Sequence, residues 1–133
     1  MGSGDGRVVY LTATLGGEAF GVEHSIGLAD GSINAGKILE DSKTVPVGKA
    51  KVVQGDFLSD DVDLGGYDII FFFDGGTVER RRLEAKLVEQ MREDAILVCY
   101  HQKQPFTSLK YLRKKPARLF GQEEGKTAIY VRK

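Results

Sequence analysis

The sequence has little of what would mark a secreted, membrane-bound or nucleic-acid-coating protein. Cys99 is the only cysteine, so no internal disulfide can form and an intracellular location is expected. Lysine plus arginine and aspartate plus glutamate number 19 each, and this balance argues against binding to a polyanionic surface. No apolar run approaches the roughly 20 residues that span a bilayer, and no signal peptide is expected because the N-terminus lacks an apolar core.

Glycine, in contrast, is abundant, with 17 residues in a chain of 133, a length that suits one domain. Gly2, Gly4 and Gly6 form a G-x-G-x-G array with Ser3 and Asp5 in the gaps. Alternate glycines let a backbone turn tightly and approach a ligand closely. A helix that starts after such a turn directs free N–H groups towards the ligand. A flexible leader is the alternative interpretation of these residues.

Hydrophobic periodicity and turn signals predict the order of the elements along the chain. They are a helix over 7–15 with Val8, Val9 and Leu11 inward and ending at Gly16-Gly17, a strand over 18–24, a helix over 25–41, strands over 49–57 and 67–73, a helix over 77–93, a strand over 95–100, and a hairpin over 117–131 that turns at Gly125. The continuous apolar run over 67–73 is expected to be covered on both faces.

Together these elements predict an α/β fold with a Rossmann-like, open and mostly parallel sheet and a C-terminal antiparallel hairpin. Ligands in such folds bind at the carboxyl ends of the strands. Glu23, Asp56, Asp74 and His101 all lie at or just beyond a predicted strand end. We therefore expect one binding crevice to bring them together.

The glycine array excludes two common ligands. In a dinucleotide fingerprint the third glycine would fall at Arg7, and a phosphate-binding loop would need a G-K-[ST] sequence that does not follow. The remaining candidate is a nucleoside with a cationic amino-acid tail, with Glu23 on the ribose, Asp56 on the adenine amino group and Phe57 against the ring. No His/Cys/Asp cluster has the spacing of metal ligands, so no metal is expected.

Four segments in order, G-S-G-D-G-R, G-V-E-H, Q-G-D-F and Y-D-I-I-F-F-F-D, resemble the motif series of seven-strand (class I) S-adenosylmethionine-dependent methyltransferases. The likeness covers nearly the whole chain. It is closest to non-SET protein lysine methyltransferases of the nucleosomal histone type and of the mitochondrial ATP-synthase c-subunit type. The resemblance implies S-adenosylmethionine as cofactor and a protein lysine as methyl acceptor. The cofactor contacts it implies are Gly2, Ser3, Gly4, Gly6, Glu23, His24, Asp56, Phe57 and Phe73.

The candidate catalytic residues are Asp74, Tyr100 and His101, and each has an ordinary alternative. Asp74 either orients an amine or caps the next helix. His101 is either a general base or a polar loop residue. In the same way, Asp56 is either an adenine contact or a turn cap, and Glu23 is either a ribose ligand or a surface acid.

The chain departs from the family pattern in two places. The family has a strand ending in an acid directly before the glycine turn, central between the strands assigned here to 18–23 and 67–73. That strand is missing, so we expect an N-terminally truncated domain, a strand supplied by a partner or by self-association, or a fold that closes differently. The sequence Asp74-Gly75-Gly76 also lacks the Asn of the histone enzymes and both prolines of the [DN]-P-P-[YF] motif of nucleic-acid amino-methyltransferases.

Two other functions stay open at this stage. The missing strand is compatible with a degenerate methyltransferase fold that serves as a binding or scaffold subunit. The basic segment 110–118 is compatible with a nucleic-acid methyltransferase, although a solvated basic face is the favoured interpretation.

Overall fold

The computed structural model describes residues 1–73, 78–100, 106, 112–115 and 127–133. These residues form two compact units, Met1–Ser59 and Asp60–Lys133. Their helices and strands, in chain order, are α1 (Arg7–Thr14), β1 (Ala19–Glu23), α2 (Ile26–Asp41), β2 (Ala50–Gln54), β3 (Ile69–Phe73), α3 (Arg80–Gln90), β4 (Ile96–Tyr100), β5 (Leu112–Lys115) and β6 (Thr127–Arg132). The expectation that the whole chain is one domain stays a prediction.

The first unit pairs β1 with β2 in parallel, in a register that runs from Ala19 opposite Ala50 to Glu23 opposite Gln54. Helix α2 connects the two strands in the chain, as a parallel pair requires. The buried core of this unit is formed by Val9, Tyr10, Ala13, Val45 and Val52. Both strands end at the same edge, so the residues that follow them lie at the carboxyl end of the pair.

The inward face of α1 differs from the prediction. Val9, Tyr10 and Ala13 are buried, whereas Val8 is 37% exposed and Leu11 is 61% exposed. The helix has apolar residues on both sides, so periodicity alone did not define its inner face. Tyr10 takes a core position because its hydroxyl finds a buried acceptor, the backbone oxygen of Ser32, at 2.6 Å.

The second unit contains a four-stranded sheet in the order β3-β4-β6-β5. Strand β3 pairs in parallel with β4, and β6 runs antiparallel to both β4 and β5. The largest fully buried side chains of this unit include Phe72, Leu83, Leu87, Leu97 and Cys99. The predicted helix and strands over 67–100 are thus present, and Leu83 and Leu87 point inward as their spacing predicts.

The expectation that β3 is covered on both faces is wrong. Its buried residues alternate, with Ile70 and Phe72 buried and Ile69 and Phe73 exposed. Successive residues of a strand point to opposite faces, so one face is buried and the other, on which Phe71 is half-buried, is largely exposed. A continuous apolar run does not distinguish the two cases, because the exposed face here also carries apolar side chains.

The predicted C-terminal hairpin has its second strand in β6, whereas its predicted first strand lies outside the described residues. The strand that pairs with β6 is Leu112–Lys115, within the basic segment that was expected to be a surface stretch, with Leu112 opposite Arg132. Pairing with β6 outweighs the weak strand propensity of consecutive basic residues. The predicted turn at Gly125 lies outside the described residues.

Strands β1 and β3 belong to separate sheets, and each is an edge strand of its own sheet among the described residues. Within the described ranges, no helix is long and apolar enough to cross a membrane.

Candidate cofactor site

The glycine array forms the turn that the sequence predicted, directly before α1. Gly2, Gly4 and Gly6 have φ angles of 63°, 57° and 80°, in the left-handed region that side chains with a Cβ disfavour. The Gly6 amide donates to the Ser3 carbonyl at 3.0 Å, and the Tyr10 amide donates to the Gly6 carbonyl at 3.0 Å. The turn therefore leads into the first turn of the helix without a break.

The turn is fixed to β1 through Ser3. The Ser3 amide donates to the Val22 carbonyl at 3.0 Å. A Cβ built on Gly21 would lie 2.7 Å from both the Ser3 Cβ and the Val9 Cγ2, so only glycine allows this approach. The Ser3 hydroxyl oxygen is buried and has no hydrogen-bond partner in the described part of the chain.

Glu23 connects the glycine turn to the start of α2. Its side chain is buried at 8% exposure; Oε2 accepts from the Gly4 amide at 2.7 Å and Oε1 accepts from the Ser25 amide at 2.9 Å. Ser25 is the N-cap residue of α2. A carboxylate has about four lone-pair sites, so these two bonds leave acceptor capacity for further donors such as ribose hydroxyls.

The ends of β1 and β2 are joined by two further hydrogen bonds. The Gly55 amide donates to the Glu23 carbonyl at 2.9 Å, and Gln54 Nε2 donates to the His24 carbonyl at 3.2 Å. The His24 side chain is exposed. Sequence reasoning missed Gln54, because a glutamine before a loop glycine carries no distinctive signal.

Asp56 and Phe57 follow β2 at the same edge. The Asp56 carboxylate oxygen Oδ1 accepts from the Leu58 amide at 2.8 Å, which is the turn-capping role that the sequence left open. Asp56 is exposed and Phe57 is half-buried. The exposed carboxylate retains room for a second donor, so the cap does not exclude the adenine contact.

Asp5, at the beginning of α1, forms an exposed ion pair with Arg7. The Arg7 Nη2 nitrogen lies 2.5 Å from Asp5 Oδ2, and Asp5 Oδ1 also accepts from the Arg7 amide at 3.2 Å. The hydrogen bond from the Arg7 side chain is the main reason that the pKa of the Asp5 carboxyl is lowered. The ionised form of Asp5 is therefore favoured, and its negative charge lies just before the N-terminus of α1, where the helix dipole also favours it.

The remaining site candidates belong to the second unit. Phe73 and Tyr100 are register partners at the carboxyl ends of β3 and β4, and their ring centroids lie 6.0 Å apart with a tilt of 34°. Phe73 is 47% exposed and Tyr100 is half-buried. Asp74 and His101 lie outside the described residues. No group of three or more potential metal ligands occurs in the ranges that the structure describes.

Comparison of the fold with solved structures identifies its class. An RNA methyltransferase from Salinibacter ruber, solved with S-adenosyl-L-homocysteine, matches with a TM-score of 0.69 at 21% identity over 97% of this chain and 74% of that chain. A TehB-like SAM-dependent methyltransferase from Corynebacterium glutamicum matches with a TM-score of 0.66 at 18% identity over 99% of this chain and 77% of that chain. The chain thus has the fold of S-adenosylmethionine-dependent methyltransferases.

The sequence comparisons add no closer assignment. No protein-family model matches the chain, and no curated protein sequence matches it. The fold class predicted from the motif series is confirmed, and the lysine-directed subgroup stays a prediction.

Proposed function

We propose that the protein is a methyltransferase that uses S-adenosylmethionine. The observation that carries this proposal is the hydrogen bond of 2.7 Å between the Gly4 amide and the Glu23 carboxylate. It places a strand-end acid beside a glycine turn that opens a helix. This is the arrangement that a nucleoside with an amino-acid tail requires.

The described residues of the first unit fit this cofactor. Glu23 retains acceptor capacity for the ribose hydroxyls, and the turn from Gly2 to Gly6 has no side chains at its glycines to obstruct the amino-acid end. Asp56 and Phe57 would take the adenine. The cofactor supplies a methyl group on a cationic sulfur, which is already a good leaving group. The protein then has to align the acceptor with the methyl group and to exclude water.

A binding experiment tests this proposal directly. Isothermal titration calorimetry with S-adenosyl-L-homocysteine should give saturable binding to one site per chain. The matched control is adenosine, which has the ribose and the base but lacks the amino-acid end. Absence of heat with both ligands would favour the alternative of a scaffold subunit with a degenerate methyltransferase fold.

We further propose that the acceptor is the amine of a protein lysine and that the enzyme acts inside the cell. The support is the motif resemblance, together with the absence of both prolines after Asp74 that base-methylating enzymes carry. A lysine nucleophile has to arrive neutral, and an apolar surrounding lowers its pKa. The exposed ring of Phe73, packed against Tyr100, offers such a surface in the second unit.

RNA is the second candidate acceptor, and two observations favour it. One solved protein of the same fold is an RNA methyltransferase. Strand β5 carries Arg113, Lys114 and Lys115 in succession, a basic stretch of the type that contacts phosphates. Its position in an edge strand of the sheet is compatible with access by a nucleic acid.

One labelling experiment separates the two acceptors. The protein is incubated with cell lysate and S-adenosylmethionine carrying a labelled methyl group, and the product is divided between protease and nuclease treatment. Loss of high-molecular-weight label with protease alone assigns the acceptor to protein, as the lysine proposal requires. Loss with nuclease alone assigns the activity to nucleic acid. A Glu23→Gln variant serves as the control for background labelling.

A further inference from the structure

Tyr10 joins the two helices of the first unit through a buried polar contact. It lies on α1, one helical turn after Gly6, and is buried. Its hydroxyl donates to the Ser32 carbonyl of α2 at 2.6 Å, and Ser32 Oγ lies 3.4 Å from the same hydroxyl. Ser32 is also buried. The contact thus connects the helix that follows the glycine turn with the helix that follows Glu23.

Two glycines make room for this contact. A Cβ built on Gly36 would lie 2.5 Å from the Tyr10 hydroxyl and 2.9 Å from the ring carbons Cε1 and Cζ. A Cβ built on Gly6 would lie 2.6 Å from Tyr10 Cε2 and would overlap Ser32 Oγ. The tyrosine ring therefore packs directly between the last glycine of the turn and a backbone surface of α2.

The hydroxyl does more than satisfy a buried acceptor. A carbonyl inside a helix already accepts a hydrogen bond from the amide four residues later, and its second lone pair does not need a partner. A phenylalanine would fill the same volume without this bond. The hydroxyl therefore contributes mainly orientation, because it fixes the ring, and with it Gly6, relative to α2.

We propose that Tyr10 is a positioning residue for the part of the cofactor that binds the glycine turn, which is its amino-acid end. This inference rests on the proposed function. Tyr10 acts through Gly6, because the ring packs against this turn glycine. Asp56 and Phe57 of the adenine-binding edge follow β2 instead, and Glu23 is held by the Ser25 amide as well as by the turn. The effect of losing the hydroxyl should therefore depend on which part of the ligand is present.

The Tyr10→Phe variant tests this dependence. Affinity for S-adenosyl-L-homocysteine should fall about fivefold, the change that loss of one ordinary hydrogen bond produces in an equilibrium constant. Affinity for adenosine should change less than about twofold, since adenosine lacks the amino-acid end that binds the turn. The matched control is Thr12→Val, which removes a hydroxyl bonded to the Val8 carbonyl at 2.8 Å on the exposed side of the same helix. It should leave both affinities unchanged.

A second variant approaches the same contact from α2. Gly36→Ala should displace the Tyr10 hydroxyl and give the same selective loss of affinity for S-adenosyl-L-homocysteine. In the Tyr10→Phe background the added methyl group should have a smaller effect, because the atom it would crowd most is gone. Equal effects of Gly36→Ala in the two backgrounds would contradict the proposed route through the hydroxyl.

The outcomes distinguish the positioning role from a merely structural one. A lower melting temperature with both ligand affinities unchanged, or with both reduced equally, overturns the inference. If the parent protein binds neither ligand, the proposed function fails, and amide hydrogen exchange decides the positioning role without ligand. Tyr10→Phe should then speed exchange at Gly4 and Gly6 relative to Thr12→Val, and unchanged exchange there refutes it.

Discussion

The substitution Glu23→Gln should weaken both folding and cofactor binding, by amounts that the structure allows to be separated. Glutamine keeps the length of the side chain and one acceptor oxygen, but it presents an NH2 group to the second backbone donor. One of the two bonds, to Gly4 or to Ser25, is therefore lost, and the other becomes a bond between neutral groups. A hydrogen bond to a charged group contributes about 1.5–3 kcal/mol, so the free energy of unfolding should fall by about 2 kcal/mol.

Binding should fall for a separate reason. The ribose hydroxyls would lose a charged acceptor, which again corresponds to about 1.5–3 kcal/mol, or roughly tenfold to a hundredfold in the dissociation constant of S-adenosyl-L-homocysteine. A strand-end acid that served the ribose alone would affect binding far more than folding. The two backbone contacts of Glu23 add a measurable folding cost to that expectation.

Urea unfolding gives the stability change, and calorimetry well below the unfolding transition gives the affinity of the folded variant. The control is Glu18→Gln, which removes a negative charge from the same unit. Glu18 forms an exposed ion pair with Lys49, and exposed pairs contribute at most about 1 kcal/mol. A Glu23→Gln protein that binds S-adenosyl-L-homocysteine as tightly as the parent would refute the assignment of Glu23 to the cofactor.

Three further predictions concern the glycine turn and the edge strands. Gly21→Ala should lower the free energy of unfolding, measured in urea, by about 1–3 kcal/mol, because the added Cβ would lie 2.7 Å from side-chain atoms of Ser3 and Val9. An unchanged free energy would mean that the glycine turn can shift away from β1 without cost. Arg7→Gln should raise the pKa of the Asp5 carboxyl, which an NMR titration measures. Since the parent pKa is lowered, the stability from this pair is present above the unfolded-state pKa and is lost as the pH falls through the folded-state pKa; an unchanged pKa would contradict the role of Arg7. A chain extended upstream by a β-strand ending in Asp should have a higher melting temperature and a higher cofactor affinity, because β1 and β3 are edge strands. A sedimentation series should show less self-association of the extended chain than of the parent. Equal values for the two chains would refute the missing-strand hypothesis.

The sequence was most informative where local chemistry decides the structure. The glycine turn before α1 follows from positive φ angles that glycine adopts at no steric cost. The position of Glu23 at the end of β1 follows from an apolar run that closes on an acid. Neither observation requires knowledge of distant contacts, and the sequence predicted both.

The rest depends on tertiary contacts that the local pattern does not encode. The bonds from Glu23 to Gly4 and Ser25 join residues up to 19 positions apart. Tyr10 enters the core because two glycines, one of them on α2, leave space for its ring. The basic strand Leu112–Lys115 forms because β6 is available as a partner, and its own composition favours no strand.

The buried thiol of Cys99 makes the second unit easy to observe by itself. It is the only cysteine of the chain, and it lies in β4 between β3 and β6 with no exposed surface. A thiol reagent such as 5,5′-dithiobis(2-nitrobenzoic acid) can then react only when this sheet opens, so the labelling rate reports the opening free energy of that unit when reclosure is faster than reaction. The glycine turn and Glu23 belong to the other unit. The labelling rate with and without S-adenosyl-L-homocysteine would therefore show whether ligand binding changes the opening of this sheet, without any engineered probe.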